Sequence, residues 1–383
     1  MSTTYKCDLC GNEDPKYFGE LNGKIYCRRC ISFKGDPVDD SLYIRKYKGQ
    51  VSLGYKLSKE QEEIATKTLE SYKRHEDVLI YAVCGAGKTE LVFKTIEYAL
   101  EKGLSVGFTI PRKDVVIELA RRLQSTFSQY VVTSVYGGNT NLLNGDIICL
   151  TTHQLFRYEK FFDLLILDEI DAFPYRDNEV LEALFKRSVR GNYIMMSATP
   201  SEKQVNEFRS NKGKNLMELY TRYHKNPIPV PKIKLTLNCL MSYHVLKKLR
   251  LFLSENKSVF IFTPTIEECE ILFKMLNIFA KCGNFVHSKR KERNEIIDDF
   301  RLGKYKYLVT TAVLERGVTV KNLQVIIFNA SNKIYSKESL IQISGRVGRV
   351  IGATSGEIIY IADSKSEAMV ESIREIERAN TYL

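Results

Sequence analysis

Val78-Leu79-Ile80-Tyr81-Ala82-Val83-Cys84-Gly85-Ala86-Gly87-Lys88-Thr89 is the stretch that decides the fold of this chain. Val78–Val83 is apolar and reads as a strand, Glu90–Lys102 reads as a helix, and small residues turn the chain between them. That order is the setting of a phosphate-binding loop. Cys84, Gly85, Ala86 and Gly87 let backbone N–H groups close around phosphate oxygens at a helix N-terminus. Lys88 is placed to reach the β- and γ-phosphates, and Thr89 to ligate magnesium. Ala82 stands where the strict pattern has its first glycine.

A second anchor follows downstream. Phe162–Leu167 is an apolar strand that ends in Asp168-Glu169-Ile170-Asp171, so carboxylates gather at its carboxyl end. Asp168 suits a magnesium ion, and Glu169 suits the orientation and deprotonation of an attacking water. A phosphate loop followed by such a tetrad predicts a nucleoside triphosphatase.

Outward from these anchors, apolar runs alternate with amphipathic stretches. Ser105–Ile110, Asp146–Leu150, Leu164–Leu167 and Tyr193–Met196 read as buried strands, and Asp114–Gln124 as a helix. Residues 226–231 carry Pro227, Pro229 and Pro231, which a helix or central strand does not accommodate, and predict a semi-rigid hinge. The alternation then restarts with Ser258–Phe262, helix Ile266–Phe279, Asn284–His287, helix Arg290–Arg301, Tyr307–Thr310, Val325–Phe328 and Gly356–Ile361. The expected fold is α/β: a small module over 1–45, a parallel-sheet lobe over 46–225, the hinge over 226–231 and a second parallel-sheet lobe over 232–383.

Cys7, Cys10, Cys27 and Cys30 form two Cys-x2-Cys pairs, the spacing of a four-thiolate zinc site. The segment has too little apolar surface to fold without metal. Four thiolates fill the tetrahedron, so the expected zinc is structural. The formal net charge of +11 points to a polyanionic partner, nucleic acid or a membrane surface. Met1–Tyr5 leads directly into a polar segment and no apolar run is long enough to span a bilayer, so the expected location is the cytosol.

Further motifs extend the pattern: Ser197-Ala198-Thr199, Thr311-Ala312-Val313-Leu314-Glu315-Arg316-Gly317, and Gln342-Ile343-Ser344-Gly345-Arg346-Val347-Gly348-Arg349. With the loop and the tetrad, this order resembles motifs I, II, III, V and VI of superfamily 2 helicases. The resemblance implies two RecA-like lobes with ATP between them. It assigns Arg346 and Arg349 as arginine fingers, with Gln342 beside them and Gly317 at the nucleotide. It assigns Ser197 and Thr199 to coupling, and Gln61, whose amide both donates and accepts, to the adenine edge. A single-stranded nucleic acid is expected along Pro111, Arg112, Thr151, Thr152, Gln154, Thr263, Pro264, His287, Ser288, Thr310 and Thr311.

Asp168-Glu169-Ile170-Asp171-Ala172-Phe173-Pro174-Tyr175, together with the cysteine pairs and the Gln342–Arg349 motif, is similar to the late-competence ComFA family of bacteria. That resemblance implies an ATP-driven translocase that draws transforming single-stranded DNA into the cytosol, at the inner face of the membrane. Its implied partners are the DNA channel protein, a phosphoribosyltransferase-like competence protein and single-strand-binding factors. Ile170 and Gln342 depart from the Ala and His of RNA-unwinding relatives. An RNA or replication-restart helicase would use the same motor, and a non-enzymatic zinc-ribbon binding protein is the alternative from another class.

Overall fold

Apolar runs bounded by small or polar residues become parallel strands in this chain, because strands covered on both faces must be hydrophobic throughout. The computed structural model describes residues 5–49, 56–223, 225–315, 320–349 and 352–382. They divide into two units, Met1–Ala82 with Gly87–Leu219, and Val83–Ala86 with Tyr220–Leu383.

The first unit starts with an antiparallel hairpin of β1 (Phe18–Leu21) and β2 (Lys24–Cys27). Its main sheet comprises β3 (Asp77–Ala82), β4 (Val106–Ile110), β5 (Val132–Val135), β6 (Ile147–Thr151), β7 (Phe162–Asp168), β8 (Val189–Ser197) and β9 (Lys214–Leu219). These lie in the order β5-β6-β4-β7-β8-β3-β9 with parallel pairing throughout. Leu164, Leu165, Ile166 and Leu167 of β7 are completely buried. Each such side chain contributes roughly 2 kcal/mol against exposure. The central strands are therefore the rigid part, and the residues at their carboxyl ends inherit that rigidity.

The helix expected over Glu90–Lys102 is two pieces, Lys88–Leu91 and Phe93–Glu101, broken at Val92. Residues 5–49 pack on this unit through Cys10, Cys27, Cys30, Leu9, Phe18, Phe33 and Val38, which join the core formed by Leu155, Phe161, Tyr175 and Phe185. An ion-pair chain fastens the same segment: Arg190 binds Asp163 through two hydrogen bonds of 2.6 Å and reaches Asp40 at 2.8 Å.

The second unit holds β10 (Lys232–Leu235), β11 (Ser258–Phe262), β12 (Gly283–Val286), β13 (Tyr307–Thr310), β14 (Leu323–Phe328) and β15 (Ile358–Ala362). Their order is β10-β15-β14-β11-β13-β12, again all parallel. The Ile266–Phe279 helix has the bounds read from the sequence. The helix expected from Arg290 begins at Arg293, because the Arg290 guanidinium turns back to Asn284 Oδ1 and the Phe285 carbonyl. Residues 226–231 have no regular structure, and Ile228 is pinned by a reciprocal pair of hydrogen bonds, each 2.9 Å, with the Asn380 side chain.

Candidate functional site

Parallel pairing brings the motifs of the first unit into one row. Tyr81 is opposite Ser197, Met196 opposite Asp168, Thr109 opposite Leu167, and Ile110 opposite Thr151. Strands about 4.8 Å apart thus present the end of β3 that enters the phosphate loop, Ser197, Asp168, Pro111 with Arg112, and Thr151 with Thr152 along the carboxyl edge. Ligands of open α/β sheets bind at that edge.

Gly85 and Gly87 have φ of +88° and +74°, the left-handed region that a phosphate loop needs and that other residues resist. A Cβ at Gly87 would lie 2.6 Å from Gln61 Nε2, so bare backbone is required there. Gln61 is buried and forms a capping box: Ser58 N–H donates to Gln61 Oε1 at 2.9 Å, and Gln61 N–H donates to Ser58 Oγ at 3.2 Å. The amide expected at the adenine edge is therefore fixed against the phosphate loop, with its oxygen engaged by the helix start. Thr89 lies in the first turn of the Lys88–Leu91 helix, and Lys88 Nζ donates to the Ala82 carbonyl at 3.2 Å.

At the end of β7, burial pushes the Asp168 carboxyl up to about 6; Lys88 opposes the shift, and the neighbouring Glu169 and Asp171 carboxylates add to it. Glu169 N–H donates to Asp168 Oδ1 at 2.8 Å, and Glu169 itself has a φ of +59°. A carboxylate raised by like charges and burial is the donor set that a hard divalent cation relieves, so Asp168 and Thr89 fit a magnesium ion. Asp171 accepts from Ser197 Oγ and Thr199 Oγ1. The sequence reading did not assign Asp171 a role; its position as the last acid of the tetrad was the only signal.

In the second unit, Phe262 pairs with Thr310, and Thr310 with Val286, so Thr263, Pro264, His287, Ser288, Thr310 and Thr311 share its carboxyl edge. The Thr263 hydroxyl lies 3.2 Å from the carbonyls of Thr265 and Thr310, which share its single proton, and Thr310 Oγ1 donates to the Thr311 carbonyl. These hydroxyls hold the edge together. His287 is buried with Nε2 at 3.1 Å from Glu270, while Ser288 is exposed.

Arg346 is buried and its Nε donates to the Glu315 carbonyl at 2.7 Å, while Glu315 Oε2 accepts from Ser339 Oγ at 2.9 Å. Arg349 Nε donates to the Gly345 carbonyl at 2.6 Å. Cys84 groups with this unit and its Sγ donates to Gln342 Oε1 at 3.1 Å. Arg222, which nothing in the sequence singled out, is buried and donates to the carbonyls of Gly345, Val347 and Gly348. It therefore braces the turn that carries Arg346 and Arg349. Gly317 lies outside the described residues.

Cys7, Cys10, Cys27 and Cys30 converge, with their Sγ atoms all within 4.8 Å of one another. The Cys7–Cys30 and Cys10–Cys27 sulfurs are 3.5 Å and 3.7 Å apart. Tetrahedral Zn–S bonds of about 2.3 Å place sulfurs about 3.8 Å apart, so the set fits zinc. Burial raises the Cys10 thiol to about 11, a cost that a bound divalent cation removes. Among the described residues, no helix is long and apolar enough to cross a membrane.

Residues 54–202 match the family model of the type III restriction enzyme res subunit, and residues 241–351 that of the helicase conserved C-terminal domain. The chain is 33% identical to the competence protein ComFA of Bacillus subtilis, over 98% of this chain and 86% of that protein. It is 32% identical to ComFA of Streptococcus pneumoniae, over 94% of this chain and 86% of that one. The structure of S. cerevisiae Dbp5 bound to RNA and ADP BeF3 shares the fold, with a TM-score of 0.62 and 16% identity over 85% of this chain and 92% of that one. The chain is an ATP-hydrolysing helicase or translocase with two RecA-like parallel-sheet lobes. It belongs to the ComFA family of competence proteins.

Proposed function

We propose that this motor translocates on single-stranded DNA and drives uptake of transforming DNA into the cytosol. The observation that carries the reading is the shared carboxyl edge of the first unit. There the end of β3 that enters the phosphate loop, the acidic tetrad and the Arg112 and Thr151–Gln154 segments stand on adjacent rigid strands.

In this reading Lys88 and the loop N–H groups of Cys84–Gly87 hold the phosphates, and Glu169 accepts the proton of the attacking water. A magnesium ion at Thr89 and Asp168 supplies charge neutralisation. Arg346 and Arg349 stabilise the charge that develops on the γ-phosphate with Gln342 as a further catalytic residue, Gly317 lines the nucleotide, and Gln61 sets base preference. Ser197 and Thr199 carry the nucleotide state to the strand ends. Backbone groups and polar side chains at Pro111, Arg112, Thr151, Thr152 and Gln154, and at Thr263, Pro264, His287, Ser288, Thr310 and Thr311, grip phosphates without reading bases. Cys7, Cys10, Cys27 and Cys30 hold one structural zinc.

The net charge of +11 favours a polyanionic track. Family membership favours work at the inner face of the membrane with the DNA channel protein, a phosphoribosyltransferase-like competence protein and single-strand-binding factors. The deciding assay compares ATPase rates with single-stranded DNA, duplex DNA and RNA at fixed ionic strength. A clear preference for single-stranded DNA is expected. Equal or greater stimulation by RNA would overturn the proposal.

A further inference from the structure

The segment after Cys30 does more than trail from the metal site. The Phe33 ring lies 6.0 Å from His153 and 5.8 Å from Phe156, between ring centroids. Val38 N–H donates to the Arg157 carbonyl at 2.8 Å, and Arg157 Nη1 donates to the Asp36 carbonyl at 3.2 Å. Gly35 has a φ of +148°, and a Cβ there would meet Arg157 Nη1 at 2.3 Å, so the guanidinium lies directly on bare backbone. Held in this way, Arg157 donates through Nε to Gln154 Oε1 at 3.0 Å. That bond fixes which end of the Gln154 amide is turned towards the guanidinium and which end is presented elsewhere.

We infer that the four-cysteine segment is a positioning element for nucleic-acid binding: Phe33, Gly35 and Asp36 seat His153 and Arg157, and Arg157 orients the Gln154 amide. This rests on the proposed placement of DNA along Thr151–Gln154. The turn Thr152–Arg157 has a second, inner support, because Ser188 Oγ donates to the Leu155 carbonyl at 3.0 Å. Loss of the outer support therefore misdirects Gln154 without collapsing the turn, which predicts weakened binding rather than abolished activity. The zinc segment thereby acts on the grip of the motor and leaves the nucleotide chemistry alone.

The experiment uses the full zinc-loaded chain with a fluorescent oligo-dT. Affinity is read by anisotropy, and ATPase rate by titration with DNA and with ATP. Phe33→Ala and Arg157→Ala are expected to raise both the Kd and the DNA concentration for half-maximal stimulation about tenfold. The rate at saturating DNA, the KM for ATP and the zinc content should stay unchanged, and the double variant should bind no more weakly than Arg157→Ala. Arg157→Lys keeps the charge but loses the planar Nε donor. It should bind as weakly as Arg157→Ala; wild-type affinity in that variant means Arg157 meets phosphate itself and overturns the inference. Unmoved affinity in Arg157→Ala overturns it as well. Should Phe33→Ala lose zinc or fail to fold, the Arg157 variants carry the test alone. Absence of any DNA response in the wild-type chain would sink the translocase reading and this inference with it, whereas a wild-type response with unmoved variants sinks this inference only.

Discussion

Asp171 accepts hydrogen bonds from Ser197 Oγ at 2.8 Å and from Thr199 Oγ1 at 2.9 Å, tying the end of β7 to the end of β8. Ser197 Oγ also accepts from the Thr199 backbone N–H at 2.9 Å, so one carboxylate and two hydroxyls form a closed unit. The last acid of the tetrad thus serves geometry, which sets it apart from the roles proposed for Asp168 and Glu169. Asp171→Ala strands two buried hydroxyls at a cost of about 2 kcal/mol, a fall of roughly 5 °C in the Tm of the first unit. Asp171→Asn keeps an acceptor oxygen and should recover part of that loss. If β8 relays the nucleotide state, Ser197→Ala combined with Thr199→Ala lowers DNA-stimulated ATPase while ATP binding by equilibrium dialysis stays within twofold of wild type. An undiminished stimulation in that variant removes the relay.

Lys88→Ala and Glu169→Gln separate binding from chemistry. Lys88 sits at the start of the helix that follows the loop, so its loss should abolish turnover and weaken ATP binding without unfolding the sheet. Glu169→Gln retains shape and hydrogen-bonding capacity but cannot take a proton, which predicts a fall of about 100-fold or more in the hydrolysis rate with ATP affinity preserved. A Glu169→Gln enzyme that turns over normally would show that another base serves the water.

The central strands and the helix Ile266–Phe279 were legible because full burial writes itself as continuous apolar runs. β5, β9 and β10 were not. They are sheet edges with the sequences Val132-Thr133-Ser134-Val135, Lys214-Asn215-Leu216-Met217-Glu218-Leu219 and Lys232-Ile233-Lys234-Leu235, and their solvent-facing positions break the apolar run. At the site, motif order marks the candidate residues, whereas it does not mark the side chains that hold them. Arg222, Arg157 and Asp171 act by reaching carbonyls and hydroxyls far away in sequence. Nothing in a one-dimensional pattern marks an arginine as buried against Gly345 and Val347. The Thr263 hydroxyl makes the same point, since its contacts with the carbonyls of Thr265 and Thr310 are not marked in the sequence.

Zinc removal should act locally. Cys10, Cys27 and Cys30 are part of the core that includes Phe161 and Phe185, yet the parallel sheet has its own fully buried strands. Chelation, or Cys27→Ser, should abolish amide protection over residues 7–30 in hydrogen exchange and leave β7 and β4 protected. Metal analysis of the native chain should return one zinc per chain. Unchanged exchange over 7–30 after complete metal loss would show that the segment folds without it.

Asp163 supplies a pH signature. Burial alone would raise its carboxyl, but the bidentate Arg190 pair and the Ser105 N–H and hydroxyl donors outweigh that and leave it below the usual aspartate value of 3.8. A carboxyl depressed in the folded chain stabilises it above the unfolded value. That contribution is lost as pH falls through the lower folded value. Arg190→Ala removes the partner that depresses it, and also severs the link to Asp40. The stability gap between wild type and variant, measured as urea midpoints, should therefore be full at pH 6 and shrink below pH 4. A gap independent of pH would assign the Arg190 contribution to packing.

Arg346 and Arg349 should fail in different ways. Arg346 is 3% exposed and its Nε is committed to the Glu315 carbonyl, so it belongs to the interior of the second unit. Arg349 is less buried, and its Nε donates to the Gly345 carbonyl on its own turn. If both charges meet the γ-phosphate in the transition state, removing either costs about 1000-fold in turnover with modest change in ATP affinity. Arg346→Ala should add a stability loss of about 2 kcal/mol, because a buried carbonyl loses its donor, whereas Arg349→Ala should melt like wild type. Calorimetry on both variants, set beside single-turnover hydrolysis, distinguishes the two roles. Normal single-turnover rates in Arg349→Ala would exclude it as a finger and leave Arg346 to carry the transition-state charge.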